Sequence, residues 1–455
     1  MIILRKLKVI LRRYIMANIV PKRIATAILN SLKSGVVPRV GLEYIAVGRK
    51  QEIETFLHDI GIIEDGGAAF RFVVGKYGSG KSFLMQTVRN YAMERGLVVV
   101  DADLSPERRL VGTKGQGLAT YKELIKNMST KTKPDGGALS LILEKWISGI
   151  KVEVLKENQV ENDSPQFIRL VEAKIFTIIN DIEEMVHGFD FAKAINLYWQ
   201  AYRSCDDEKK DNVLKWFRGE YNTKTEAKRD IGVNVIIGDD NWYEYLKLFS
   251  CFMVRAGYKA MLVLIDEIVN IYTISHSVTR QSNYEKILTM FNDTMQGKAK
   301  YIGIIMGGTP QSIDDTRRGV FSYEALKSRL EEGRFDSEEL RDMFAPIIRL
   351  KTLTNEEMFV LIEKLTDIHA NLYGYKSPIS VNELISFLKV EYERIGADAN
   401  ITPREVIRDF IGVLNILFQN PTMTIGEIIG NETFEFAKDT ITDEKIHEEF
   451  AEFVL

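Results

Sequence analysis

One run of the chain has residue types and spacing suited to holding phosphate. Gly75, Lys76, Tyr77, Gly78, Ser79, Gly80, Lys81 and Ser82 satisfy G-x-x-x-x-G-K-[ST] at every defined position. Glycines in that pattern let backbone N–H groups close around β- and γ-phosphates, and a helix beginning at the end of the loop adds its partial positive charge. Lys81 then neutralises phosphate charge, and Ser82 offers a hydroxyl to Mg²⁺. Such a loop works only between a strand and a helix. Residues 70–74 (FRFVV), rich in β-branched and aromatic side chains, predict the strand, and residues 83–91 predict the helix.

A nucleotide site also needs a carboxylate for the metal and a base for water. Residues 261–267 (MLVLIDE) supply both: five apolar residues typical of a central parallel strand, ending in two acids. Asp266 is the candidate magnesium ligand. Glu267 would polarise the attacking water, which makes hydrolysis the expected activity. Residues 301–309 form another apolar run, closing on Thr309, a hydroxyl able to reach a γ-phosphate or the water beside it. Arg329 falls on a predicted helix within 322–330, and residues 346–350 predict a fifth strand. Thr402 is placed as a helix N-cap, with Pro403 at the first helical position and Arg404 and Arg408 in the first two turns.

Taken together these segments resemble the AAA+ ATPases, particularly the branch that holds the replication initiators. Residues 47–52 (VGRKQE) look like the V-G-R-x-x-E segment that lies near adenine in that family, which implies contacts from Gly48 and Arg49. The glycine loop and residues 262–267 match Walker A and Walker B, and Thr309 falls at the sensor-1 position. Residues 326–329 (LKSR) are similar to an L-x-S-R segment whose arginine reaches the nucleotide of an adjacent subunit, so Arg329 is the implied arginine finger. Arg404 resembles the sensor-2 arginine of the helical lid. The implied nucleotide-binding set is thus Gly48, Arg49, the eight loop residues, Phe83 and Arg404. Residues 101–107, 115–121, 308–310, 323–330 and 402–404 bring the chain closer still to the P-loop ATP-binding proteins of BREX-type phage-defence systems, over about residues 20 to 420. That resemblance implies a role in phage defence and partner proteins from the same system.

The elements that must position these residues follow from the apolar runs. Strands near 70–74, 97–101, 261–265, 302–306 and 346–350 alternate with helices, giving an α/β fold with a parallel P-loop NTPase sheet. The interval between the second and third strands far exceeds one crossover helix and predicts a large helical insertion. Leu139, Ile142, Leu143, Trp146, Ile147 and Ile150 form one helical stripe there, and Phe191, Ala194, Ile195, Tyr198 and Trp199 another; both are expected in the core. Residues 151–164 and 204–211 are polar and read as surface turns or connectors. The expected organisation is a basic extension (1–19), the first part of the ATPase core (20–105), the insertion (106–250), the second part of the core (251–352), a lid carrying Arg404 (353–420) and a C-terminal element (421–455).

Composition bounds the alternatives. The 455 residues are 45% hydrophobic, enough for a sizeable core, and 60 Lys+Arg against 64 Asp+Glu give a net charge of −4, so any DNA site must be local. Cys205 and Cys251 form no C-x-x-C pair, and His58, His187, His276, His369 and His447 show no H-E-x-x-H spacing, which removes cysteine-zinc and metalloprotease chemistry. The reducing cytoplasm is the expected compartment, since no segment outside the basic N-terminus suggests a membrane. That N-terminus, residues 1–15, has apolar residues at helical spacing among five cations and no acid; a second start at Met16 is the simpler account of it.

The leading expectation is a Mg²⁺-dependent ATPase with a regulatory or remodelling role, working as a homo-oligomer if Arg329 acts in trans. The alternative is an ATP-gated DNA-loading or scaffold module with little turnover. Small-molecule kinase chemistry is disfavoured by the adjacent Asp266 and Glu267, the insertion and the lid arginine. For DNA, residues 222–229 and Arg317–Arg318 are the basic candidates, although such charges more often face solvent.

Overall fold

The computed structural model describes residues 20–331, 333, 341–395 and 402–429. The basic extension and most of the C-terminal element lie outside the described residues. By contacts, the chain divides into a larger unit (54–74 and 88–349) and a smaller one formed from its start, 75–87 and 350 onward.

The larger unit is built on five parallel strands: β1 (Ala68–Val74), β2 (Val98–Asp103), β3 (Met261–Asp266), β4 (Ile302–Gly308) and β5 (Ile347–Arg349), in the order β2-β3-β4-β1-β5. Each coincides with an apolar run expected to be a strand. Unbroken apolar runs are what a parallel sheet covered on both faces requires: all seven residues of β4 are buried, as are the first five of β3. A buried charge interrupts the run in β1. Arg71, in the middle of β1, is buried, with its Nε and Nη2 each 2.7 Å from one oxygen of Asp59 on the helix Lys50–Glu64. Its Nη1 donates to the carbonyls of Phe344 and Ala345, just ahead of β5. The planar guanidinium fork suits this bidentate pairing, and the carbonyls complete the satisfaction of a buried charge.

Helices fill the interval between β2 and β3. Both predicted stripes are buried, on the helices Leu139–Asn158 and Gly188–Ser204. Their aromatics meet in edge contacts, Trp146 on Phe252 at 5.1 Å and Phe191 on Phe249 at 5.1 Å, which makes them core. The polar stretches differ from the expectation of turns. The first helix runs on to Asn158, burying Val154, and stops where Gln159 takes a left-handed φ of 48°. Residues 207–211 open the helix Asp207–Phe217, whose N-cap Asp206 accepts the Lys209 N–H at 2.9 Å. A solvated helix face carries as much charge as a turn, so composition alone did not separate the two.

In the smaller unit the helices Lys22–Lys33, Asn355–Tyr373, Val381–Ile395 and Pro403–Gln419 share a second core that includes Ile28, Leu29, Ile362, Leu365, Phe387, Phe410 and Leu414. Three start with reciprocal caps, Thr354 with Glu357, Ser380 with Glu383 and Thr402 with Glu405, and Pro403 occupies the first helical turn as expected. Among the described residues no helix is long and apolar enough to cross a membrane.

Candidate functional site

The phosphate loop leaves β1 at Gly75 and ends in the helix Lys81–Glu94. Gly78 and Gly80 have φ of +75° and +88°, left-handed values that L side chains resist, and the helix's first bond runs from Leu84 N–H to Gly80 O at 2.9 Å. Space is as restrictive as conformation. A Cβ on Gly75 would stand 2.3 Å from Ser79 Oγ, and one on Gly78 would stand 2.4 Å from the Cβ of Thr402, the cap of the helix Pro403–Gln419. Alternating left-handed glycines ahead of a helix N-terminus make a backbone concavity of the kind that binds phosphate. Ser79 Oγ is buried within it and has no hydrogen-bond partner among the described residues. The Lys81 ammonium donates to the carbonyls of Gly75 at 2.8 Å and Lys76 at 3.2 Å, and lies 5.4 Å from the centre of the Tyr77 ring. Tyr77 is 66% exposed, Ser82 is exposed, and Phe83 packs against the second core.

Three more expected residues belong to the same unit. Arg49 is buried, and its Nη2 donates to Ser79 O at 2.8 Å and Lys351 O at 2.7 Å. Gly48, with φ +66°, lies beneath the Glu357 carboxylate, 2.3 Å from where its Cβ would be. Arg404 is exposed in the first turn of its helix, with its Cδ near Gly35.

The larger unit carries the acids. β3 ends at half-buried Asp266, whose Oδ1 accepts the N–H of Glu267 at 2.8 Å. Glu267 has a φ of +63°, and the turn it makes is fixed on either side by Ile268 N–H to Gly307 O at 3.0 Å and Leu104 N–H to Asp266 O at 3.0 Å. Thr309 follows β4 and caps the helix Pro310–Asp314, its hydroxyl accepting from Ser312 N at 3.2 Å and keeping its own proton to donate. Because β2, β3 and β4 are parallel, their carboxyl ends share one edge, and Asp266, Glu267 and Thr309 lie along it. Arg329 is exposed on the helix Glu324–Leu330, with Nη1 donating to Ala325 O at 2.6 Å.

Sequence reasoning passed over one acid on that edge. Asp103 ends β2 directly opposite Asp266, and partial desolvation, then the charges of Asp266 and Asp101, raise its carboxyl from its ordinary value. The signal was present in D-A-D at the end of a strand, but only the strand order makes β2 a neighbour of β3.

A parallel α/β sheet with a glycine loop after one strand and an acid pair after another defines a P-loop NTPase-like fold. Within that class the chain belongs to the family of BREX system ATP-binding proteins BrxC/D, whose model matches residues 20–433. ATP binding within a BREX phage-defence system is therefore the role its family carries. No curated protein matches the chain.

Proposed function

We propose that the protein is an AAA+-like, Mg²⁺-dependent ATPase that drives a regulatory or remodelling step in a cytoplasmic BREX complex. The observation that carries this reading is the phosphate loop: left-handed turns at Gly78 and Gly80, no room for a side chain at Gly75 or Gly78, and Lys81 at the head of a helix. In this reading the N–H groups of the loop and Lys81 bind the triphosphate. The Ser82 hydroxyl and the Asp266 carboxylate are hard oxygen donors of the type Mg²⁺ takes, and the metal would supply charge neutralisation at the phosphates. Glu267 orients and deprotonates water, Thr309 donates to the phosphate or that water, and Arg404 contributes from the lid.

Arg329 is exposed on a short helix, free of a fixed place in the core, which supports a role on the nucleotide of a second copy. Oligomerisation and turnover are then coupled. The test is ATP turnover across a protein-concentration series, with and without duplex DNA. Specific activity should rise with concentration, vanish in Lys81→Ala, and fall in Arg329→Ala by on the order of 10³-fold. Concentration-independent turnover untouched by Arg329→Ala would remove the shared site, and DNA-dependent binding without turnover would favour a loading module.

A further inference from the structure

The structure assigns Arg49 a positioning role: it fixes the phosphate loop from behind, so that the loop's N–H groups are aimed before any ligand arrives. The assignment rests on the ATP-binding reading and goes beyond it, because the resemblance alone implied contact with the base. Arg49 is 5% exposed, and both hydrogens of its Nη2 are accounted for by carbonyls, Ser79 O at 2.8 Å and Lys351 O at 2.7 Å. Nη1 faces Gly48 O and Glu52 Oε1, each at 3.5 Å. The guanidinium is thus occupied by protein acceptors, two of them close.

The bond to Ser79 matters because of peptide geometry. In a planar trans peptide the C=O and the next N–H point in opposite directions. Holding Ser79 O against Arg49 therefore turns the Gly80 N–H away from Arg49. Gly80 gains nothing sterically from lacking a side chain, since the nearest atom to a Cβ there would be Arg49 Nη2 at 3.9 Å. Its left-handed φ of +88° is what the loop needs, and a glycine with that freedom needs an outside restraint to stay in one orientation. Arg49 supplies it. Through Lys351 O the same nitrogen also ties the loop to the segment leading into the lid helix Asn355–Tyr373. An aimed loop binds triphosphate without first having to order itself, which is the general advantage of a preorganised site.

Base contact and loop positioning are separated by a ligand that has no base. Isothermal titration of the full chain with MgATP and with magnesium tripolyphosphate should show Arg49→Ala weakening both by the same factor, about 10- to 100-fold. Arg49→Lys keeps the charge and reaches one carbonyl, so it should recover part of both affinities together. If Arg49→Ala is unfolded by circular dichroism, the lysine variant carries the test, with equal fractional losses expected. Loss of ATP affinity with tripolyphosphate unchanged would overturn the assignment in favour of a base contact, and no change in either would overturn it outright. Wild-type protein that binds ATP no better than Lys81→Ala would instead bring down the ATP-binding reading, and this assignment with it.

Discussion

The phosphate loop and the end of β3 both need left-handed backbone, and they meet that need in opposite ways. At the loop the residues are Gly78 and Gly80, which adopt positive φ without strain. After β3 the residue is Glu267, whose φ of +63° costs about 1–2 kcal/mol relative to an ordinary conformation. In the proposed phosphate site the loop works through backbone N–H, which needs no side chain. At the strand end the proposed working group is the carboxylate itself, which sits on a strained backbone. The contrast teaches where substitution is tolerated: adding a side chain harms the loop, and removing one relieves the strand end.

The largest effect that would break the comparison is at Gly78. Gly78→Val places a β-branched side chain at φ +75° and against Thr402, and should cost about 2–4 kcal/mol while abolishing ATP binding. Normal stability by denaturant titration together with unchanged ATP affinity would show that the loop is not held as described. Next in size is Glu267→Gly, which should raise stability by about 0.5–1 kcal/mol while eliminating hydrolysis. A destabilised variant would mean that the Glu267 side chain carries packing rather than chemistry.

The smallest effect concerns the neighbouring acid. Asp103 has a carboxyl raised by partial desolvation and by Asp266, so its ionised form disfavours the folded state. The protein should thus be relieved of this penalty as pH falls through the folded value, and should carry it in full at neutral pH. Asp103→Asn should therefore raise Tm most near pH 7, with the gain shrinking toward pH 4. A gain that is independent of pH would remove the Asp103–Asp266 repulsion from the account.

Much of this was legible in the sequence because the signals are local. The five strands coincide with apolar runs, the loop with a fixed spacing, and the helix Pro403–Gln419 with Thr402, which caps it reciprocally with Glu405. Signals that depend on a distant partner were not. Arg71 interrupts an apolar strand, and its justification, Asp59, lies one helix earlier. Arg49 carries a familiar motif position, but its acceptor on Lys351 is 302 residues away. Asp103 becomes relevant only because β2 pairs with β3. Helix Lys22–Lys33 packs with Asn355–Tyr373 and Pro403–Gln419 through an apolar face that named no partner in advance. The positive φ of Glu267 has no composition cue at all, since glutamate rarely takes it.

The most direct test of the account is a single-turnover assay of phosphate release from ATP, on the wild-type chain and Glu267→Gln, paired with ATP binding on the same samples. The account predicts that the variant binds ATP as the wild type does and releases phosphate on the order of 10²- to 10⁴-fold more slowly. Equal release rates would contradict Glu267 as the group that activates water, and with it the reason the fold keeps a strained residue at the end of β3.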